Sequence, residues 1–455
     1  MSKGHTIPLL QLTHLLHRRA AAITIFTTPA NHPFISQSLP SGADISIVDL
    51  PFPTNIPEIP DGTESTDKLP SMSLFIPFVN GTKLMQPSFE KALGAFHKQV
   101  SCIISDGFLY WTLQSASKFG IPRLSFYGMS YYAMALSRAV FVDGSLSLHD
   151  SGDEEFTVTS FPWIKLCRND FDDPFDKKDP RGPHLDFIIE ATTATANSFG
   201  ILVNSFYELE KPFADHWARE GQPKAWTVGP LCLESPPRVE SGQKPKWIQW
   251  LDKKWAEGCS PVLYVAFGSQ ANISPAQLRE IAHGLEHSKT RFLWVVRASK
   301  GAEFINDLEE RVKERGIIVN EWVDQREILE HPIVQGFLSH CGWNSVLEGI
   351  CAQVPILAWP MMAEQFINAK FVTEEIKVGL RVNTVDGFRK GFVTGESLKS
   401  TVIELMEGET GKKLRVNVRE VAEAARISVA DGGSSWRDLN RLIEETHAQK
   451  ELNTL

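Results

Sequence analysis

The chain has 455 residues, 46 of them Lys or Arg and 55 Asp or Glu, for a formal net charge of −9. With 42% hydrophobic and 22% charged residues it has an ordinary globular balance and room for two or three domains, which excludes the disordered and collagen-like classes. An acidic balance without a long basic run argues against a nucleic-acid partner, and no apolar run approaches the ~18–20 residues of a membrane span.

The first residues, Met1-Ser2-Lys3-Gly4-His5, hold no apolar core before Pro8, so no secretory signal is expected. The six cysteines (Cys102, Cys167, Cys232, Cys259, Cys341 and Cys351) include no C-x-x-C pair. Reduced thiols in a cytoplasmic protein are expected, with neither a zinc site nor a disulfide framework.

In chain order, residues 8–20 read as a helix, with Pro8 in its first turn and Leu9, Leu12 and Leu16 at helical spacing. Residues 23–26 read as a strand, as do 101–104 and 200–204. Continuous apolar strands between helices point to a parallel sheet covered on both faces. Residues 229–245, rich in Pro, Ser, Gly and charge, read as a linker or as one long surface loop; the boundary is placed there. This gives a first domain at 1–232, a linker at 233–246, a second domain at 247–433 and a C-terminal helix at 434–455 that packs back on the first.

The α/β alternation then restarts. Residues 262–267 read as a strand followed by Gly268-Ser269. Ser274-Pro-Ala-Gln277 reads as a capping box opening a helix to about His287. Strands follow at 292–296, 317–319, 336–339 and 355–358. From Glu396 onward the spacing is helical, broken at 408–411 and 431–433. No repeat is visible.

The densest functional segment is 322–365. After the strand at 336–339, residues 339–345 read as a turn into a helix beginning near Asn344. Gly342 lets the backbone approach a ligand, and the helix start supplies unpaired N–H groups and the positive dipole end, which suit a diphosphate. His340 stands ready to donate to a phosphate oxygen. Gly268-Ser269 faces the same crevice at a strand end, and Trp322 offers a ring on which a base can stack. Glu348, one turn beyond Asn344, reaches for a ribose diol, and Glu364-Gln365 for sugar hydroxyls. By itself Trp322 fits a core or rim position, Glu348 a solvated helix face, and a His beside a Gly a structural role.

Taken in order, Trp322-Val-Asp-Gln325, His340-Cys-Gly-Trp-Asn-Ser345, Glu348 and Glu364-Gln365 resemble the signature of plant UDP-dependent glycosyltransferases of family 1. The resemblance extends to Tyr264-Val-Ala-Phe-Gly-Ser269 and to Gly4-His5-Thr-Ile-Pro8, and in detail to the branches that glucosylate flavonoids and small phenols. It implies an α/β GT-B fold of two facing Rossmann-like, doubly wound domains. The donor residues it implies are Trp322 and Val323 with Gln325 beside the nucleoside, Glu348 on the ribose, and Ser269, His340, Gly342, Asn344 and Ser345 at the diphosphate. Trp343, Glu364 and Gln365 line the sugar, and Gln365 is associated with glucose. UDP-glucose is thus the donor co-substrate, with no further cofactor and no metal assigned.

The resemblance also implies His5 as the base and Asp106 as its partner. A hydroxyl is a poor nucleophile until deprotonated; an imidazole of pKa near ~6.5 does this at neutral pH, and a carboxylate on its other nitrogen fixes the tautomer. Read without the family, His5 fits an exposed residue near a terminus and Asp106 a turn residue before Gly107. The expected reaction is inverting transfer to a hydroxyl of a small acceptor, by a monomer. Acceptor contacts are expected from residues 72–84, 126–129 and 143–153.

Family members carry an apolar strand before the Gly-His turn, where this chain has Met1-Ser2-Lys3. Two expectations follow: an active glucosyltransferase, or a chain that binds UDP-sugar through its second domain without efficient transfer. An NAD-dependent oxidoreductase is disfavoured, because no G-x-G-x-x-G follows a strand.

Overall fold

The computed structural model describes residues 1–40, 42–95, 100–220, 223–234, 244–271, 273–296, 304–385, 387 and 389–454. The strands are β1 (Ile23–Thr27), β2 (Ile45–Asp49), β3 (Ile103–Asp106), β4 (Arg123–Tyr127), β5 (Phe156–Val158), β6 (Phe161–Leu166), β7 (Gly200–Val203), β8 (Ala225–Thr227), β9 (Val262–Ala266), β10 (Arg291–Val295), β11 (Gly316–Val319), β12 (Val334–Ser339), β13 (Ile356–Ala358) and β14 (Gly379–Arg381). Two compact units result. The first comprises Met1–Tyr131, Pro180–Pro237 and Ile427–Leu455, and the second Tyr132–Asp179 and Arg238–Arg426.

In the first unit the parallel strands form a four-stranded sheet, β3-β4-β7-β8, and a separate pair, β1-β2. The expected doubly wound sheet is therefore split, since β1 and β3 are not hydrogen-bonded to each other. An apolar cluster compensates: Phe26 and Val48 from the pair and Ile103 from the larger sheet pack on buried Leu50, Phe89, Leu93 and Trp111. On the larger sheet, Leu124, Phe126, Leu202 and Trp226 pack with Leu12 and Leu15 of the helix Lys3–Arg18 and with Leu439 and Leu442 of the helix Ser434–Thr454.

The first helix begins at Lys3, not at Pro8. The N–H groups of His5 and Thr6 bond to the carbonyl of Ser2, so the turn expected around His5 is already helical. Pro8 lies inside the helix and donates no backbone bond there.

The second unit holds a six-stranded parallel sheet in the order β11-β10-β9-β12-β13-β14. Every residue of β9, Val-Leu-Tyr-Val-Ala, is buried, as a strand covered on both faces requires. Strand order reverses between β9 and β12, and their carboxyl ends are level: Leu338 pairs with Val265 and Ser339 with Ala266. The turns after both strands thus emerge side by side at the topological switch point, where doubly wound sheets bind ligands.

Residues Tyr132–Asp179, expected in the first domain, group with the second unit. The physical reason is side-chain packing. Tyr132 lies 4.8 Å from the Phe371 ring, Trp163 donates to Glu375 at 3.1 Å, and Arg389 lies 3.0 Å from Asp170. Most of the expected linker, residues 235–243, lies outside the described residues.

Candidate active site

The helix Trp343–Cys351 opens directly after the turn that follows β12, with Gly342 as its N-cap. The N–H groups of its first turn have no intrahelical acceptor, and the dipole favours an anion there. Two glycines make room. A Cβ on Gly342 would lie 2.6 Å from Nε2 of His340, and one on Gly268, whose φ is +73°, would lie 2.7 Å from the same atom. The His340 ring is therefore held between the two turns, and close backbone approach is a packing requirement at both glycines. Cys341 takes a left-handed φ of +63°, which turns the chain into the helix. Asn368 donates to the Cys341 carbonyl at 3.0 Å and fixes that turn from the helix Gln365–Lys370.

Gln325 organises the nucleoside side. Its Nε2 donates to Ser345 Oγ at 2.8 Å and to Glu348 Oε2 at 2.6 Å, while its Oε1 accepts from the Tyr264 hydroxyl at 3.3 Å. Asp324 caps the short helix that presents Gln325, accepting from the N–H groups of Arg326 and Glu327. Val323 is buried, whereas Trp322 is 57% exposed and displays its ring to solvent. Ser269 is half-buried after β9.

Burial sets the protonation states. It raises the Glu348 carboxyl to about 7 against the opposing pull of the Gln325 hydrogen bond. It lowers His340 to about 4, so the imidazole is neutral at pH 7 and donates from one nitrogen. Among the described residues the buried Nδ1 of His340 has no hydrogen-bond partner.

The sugar-facing expectation is altered in detail. Gln365 Oε1 accepts from the N–H groups of Met361 and Met362 at 3.0 Å each, so its amide braces the loop before it. Glu364 occupies the N-cap position of the helix that follows, and its Oε1 accepts from Asn368 at 3.5 Å. Trp343 is 2% exposed and packs on Phe371 at 6.0 Å, so its ring belongs to the core and only its backbone stands at the helix start.

In the first unit His5 Nδ1 lies 2.6 Å from Asp106 Oδ2. Asp106 is the last residue of β3, not a turn residue beyond it, and its Oδ1 accepts from the N–H of Phe108 at 2.8 Å. Burial alone would raise the Asp106 carboxyl; the charge and hydrogen bond of His5, with the Phe108 N–H, outweigh it and hold the group below the usual carboxylate range. With Nδ1 engaged, Nε2 of His5 is the nitrogen that can take a proton. Beside it stands Phe108, 5.2 Å from the imidazole centroid, which packs in turn on Phe75 and Phe187.

Two features escaped the sequence reading. Arg123, 1% exposed, donates to Ser105 at 3.0 Å, to Thr112 at 2.9 Å and to Ser198 at 2.7 Å, and clamps the end of β3 that carries Asp106. The charge opening an apolar stretch at Pro122-Arg123 was its one signal. Asp170-Phe171-Asp172 is an Asp-x-Asp pattern, which corrects the reading of the sequence as holding none, a reading that had supported the assignment of no metal. Its carboxylates are engaged: Asp170 accepts from the Cys167 N–H at 2.9 Å, and Asp172 from the Ala363 N–H at 2.7 Å.

Comparison with known proteins identifies the family and the fold. The family described as UDP-glucoronosyl and UDP-glucosyl transferase matches residues 242–414. UDP-glycosyltransferase 90A1 of Arabidopsis thaliana is 52% identical, over 100% of this chain and 96% of that protein. UDP-glucose flavonoid 3-O-glucosyltransferase 7 of Fragaria ananassa is 34% identical over 98% of this chain and 94% of that protein. The crystal structure of UGT73P12 from Glycyrrhiza uralensis, complexed with glycyrrhetinic acid 3-O-monoglucuronide, superposes with a TM-score of 0.89 at 30% identity, covering 100% of this chain and 95% of that one.

Proposed function

We propose, on the premise that this chain belongs to the UDP-glycosyltransferase family, that it transfers glucose from UDP-glucose to a phenolic hydroxyl, inverting the anomeric carbon without a metal ion. The coarser part follows from the family itself. The fold is GT-B, and the protein is an enzyme that moves a sugar from a UDP-sugar to a small acceptor. Among the described residues no helix is long and apolar enough to cross a membrane.

The observation that carries the finer reading is the 2.6 Å contact between His5 and Asp106. Nε2 of His5 takes the proton of the acceptor hydroxyl as its oxygen bonds to the anomeric carbon and the bond from that carbon to the β-phosphate oxygen breaks. Asp106 holds the imidazolium so formed. One displacement with no enzyme-bound sugar inverts the carbon. The departing diphosphate meets the N–H groups at the start of Trp343–Cys351 and neutral His340. An aromatic acceptor is supported by the rings of Phe108, Phe75 and Phe187. Glucose is supported by the name of the Fragaria relative.

The test is a set of transfer reactions with UDP-glucose, UDP-galactose and UDP-glucuronate on a panel of phenols, with product anomers assigned by NMR. β-Glucosides are expected, unaffected by a chelator. Asp106→Asn should lower kcat by about 10²–10⁴-fold with little change in the KM for UDP-glucose. Equal use of UDP-galactose would overturn glucose, an α-product would overturn inversion, loss of activity with chelator would overturn metal independence, and wild-type kcat in Asp106→Asn would remove the pair from the chemistry. A donor-binding chain without transfer is not favoured, given relatives of 50% and 52% identity along the chain.

A further inference from the structure

A cavity of about 920 Å³ opens in the second unit between the start of the helix Pro275–His287, the loop 359–361 after β13 and the segment that follows β14. None of Ser269, Trp322, His340, Trp343, Glu348 and Gln365 lines it, although Met361, which bonds to Gln365, and Phe366, the next residue in the chain, do. Its volume is that of a small-molecule site, which typically measures ~300–1,000 Å³.

The walls combine apolar area with positive charge. Trp359, Met361, Phe366 and Phe392 supply the apolar part. Arg381, Arg389 and Lys390 supply three cations, and among the described residues no carboxylate lines the cavity. Two of these cations are already matched. Arg389 lies 3.0 Å from Asp170 and 3.1 Å from Glu155, and Lys390 lies 3.1 Å from Asp176 and 3.7 Å from Asp172. Arg381 is different: among the described residues no hydrogen bond or ion pair holds its guanidinium, which lies 5.9 Å over the Phe366 ring. Burial pushes its pKa down, against the opposing pull of the Asp170 and Glu374 charges. A guanidinium in that state is a ready partner for a planar carboxylate, which it can grip through two parallel hydrogen bonds.

We propose that this cavity binds an organic carboxylate, its charge on Arg381 and its apolar body against Trp359 and Phe392. The inference does not rest on the sugar-transfer reading, because it uses no donor or acceptor residue.

Calorimetric titration of the full chain with benzoate tests it, beside hexanoate, the neutral benzamide and inorganic phosphate, each with and without saturating UDP. Benzoate and hexanoate are expected to bind, with benzamide and phosphate at least about tenfold weaker, as loss of a charge-assisted pair or of the apolar contact implies. Saturating UDP should leave benzoate binding unchanged. Arg381→Gln should weaken benzoate about tenfold or more while UDP still binds. Phe392 is 44% exposed, so Phe392→Ala should fold normally and weaken benzoate several-fold. Absence of benzoate binding, equal binding of benzamide, displacement by UDP, or unchanged binding in both variants would each overturn the proposal. Phosphate binding as tightly as benzoate would overturn the apolar half of the site.

Discussion

Glu348 is a half-buried carboxyl whose burial raises its pKa to about 7, while the Gln325 amide donating at 2.6 Å opposes the rise. An acid whose pKa is raised by folding holds its proton more tightly in the native state. Its contribution to stability is therefore full below the unfolded value near ~4.5 and is lost as pH rises through about 7. Ribose hydroxyls donate to the ionised carboxylate, so donor binding has the opposite slope. UDP-glucose affinity should rise between pH 6 and 8, by at most about tenfold per pH unit. Glu348→Gln should flatten that slope, weaken UDP-glucose, and raise the melting temperature more at pH 8 than at pH 6. Calorimetry and thermal melts at the two pH values check this; an unchanged slope in the variant would take Glu348 out of the nucleoside site. At this scale residue type and order were enough to single out Glu348 and Gln325, whose side chains the structure brings together at 2.6 Å. They offered no more than a lone charge before an apolar stretch for Arg123, whose burial is stabilised by the Ser105, Thr112 and Ser198 hydroxyls brought to it by the fold.

Strands and turns show the same division between local and distant causes. The runs that became β9 and β12 were readable because they are apolar and bounded by Gly or Pro. β4, Arg-Leu-Ser-Phe-Tyr, was not, since its buried polar residues are satisfied elsewhere: Arg123 on β3, and Ser125 on Thr195 at 3.1 Å. The capping box at Ser274 is half real. Ser274 accepts from the Gln277 N–H, but the Gln277 side chain bonds the backbone of Val393, 116 residues away, which no local pattern announces. The turn from β12 into the Trp343 helix was legible as a whole, and its geometry predicts a sharp effect. Gly342→Ala would place a Cβ 2.6 Å from His340 Nε2, so the ring must move from between the Gly268 and Gly342 turns. UDP-glucose binding should weaken about tenfold, the order of one lost charged hydrogen bond, with the circular dichroism spectrum unchanged. Wild-type affinity in this variant would show that the glycine serves packing alone.

The division of the whole chain was legible in part: the return of the helix at 434–455 to the first unit was expected, whereas residues 132–179, which group with the second unit, were not, because that grouping comes from contacts far apart in sequence. The first unit is completed by its last helix, Ser434–Thr454. Asp438 accepts from the Thr227 N–H at 3.1 Å and Ser435 donates to the Gly229 carbonyl at 2.5 Å, so the helix is fastened at the carboxyl end of β8. Leu439 and Leu442, 1% and 2% exposed, then fill the same cluster as Trp226, Leu202 and Leu12. Replacing one buried Leu by Ala costs about 2–5 kcal/mol, and neighbouring losses add imperfectly. Against the ~5–15 kcal/mol that holds a domain together, the double variant Leu439→Ala/Leu442→Ala should lose much of the stability of the first unit. The donor residues all lie in the second unit, so UDP should still bind. Differential scanning calorimetry with and without UDP separates the two effects: an early transition moved down by the double variant and insensitive to UDP, and a later one that UDP still raises. A variant that melts like the wild type would mean that the cluster on β8 stands without its terminal helix.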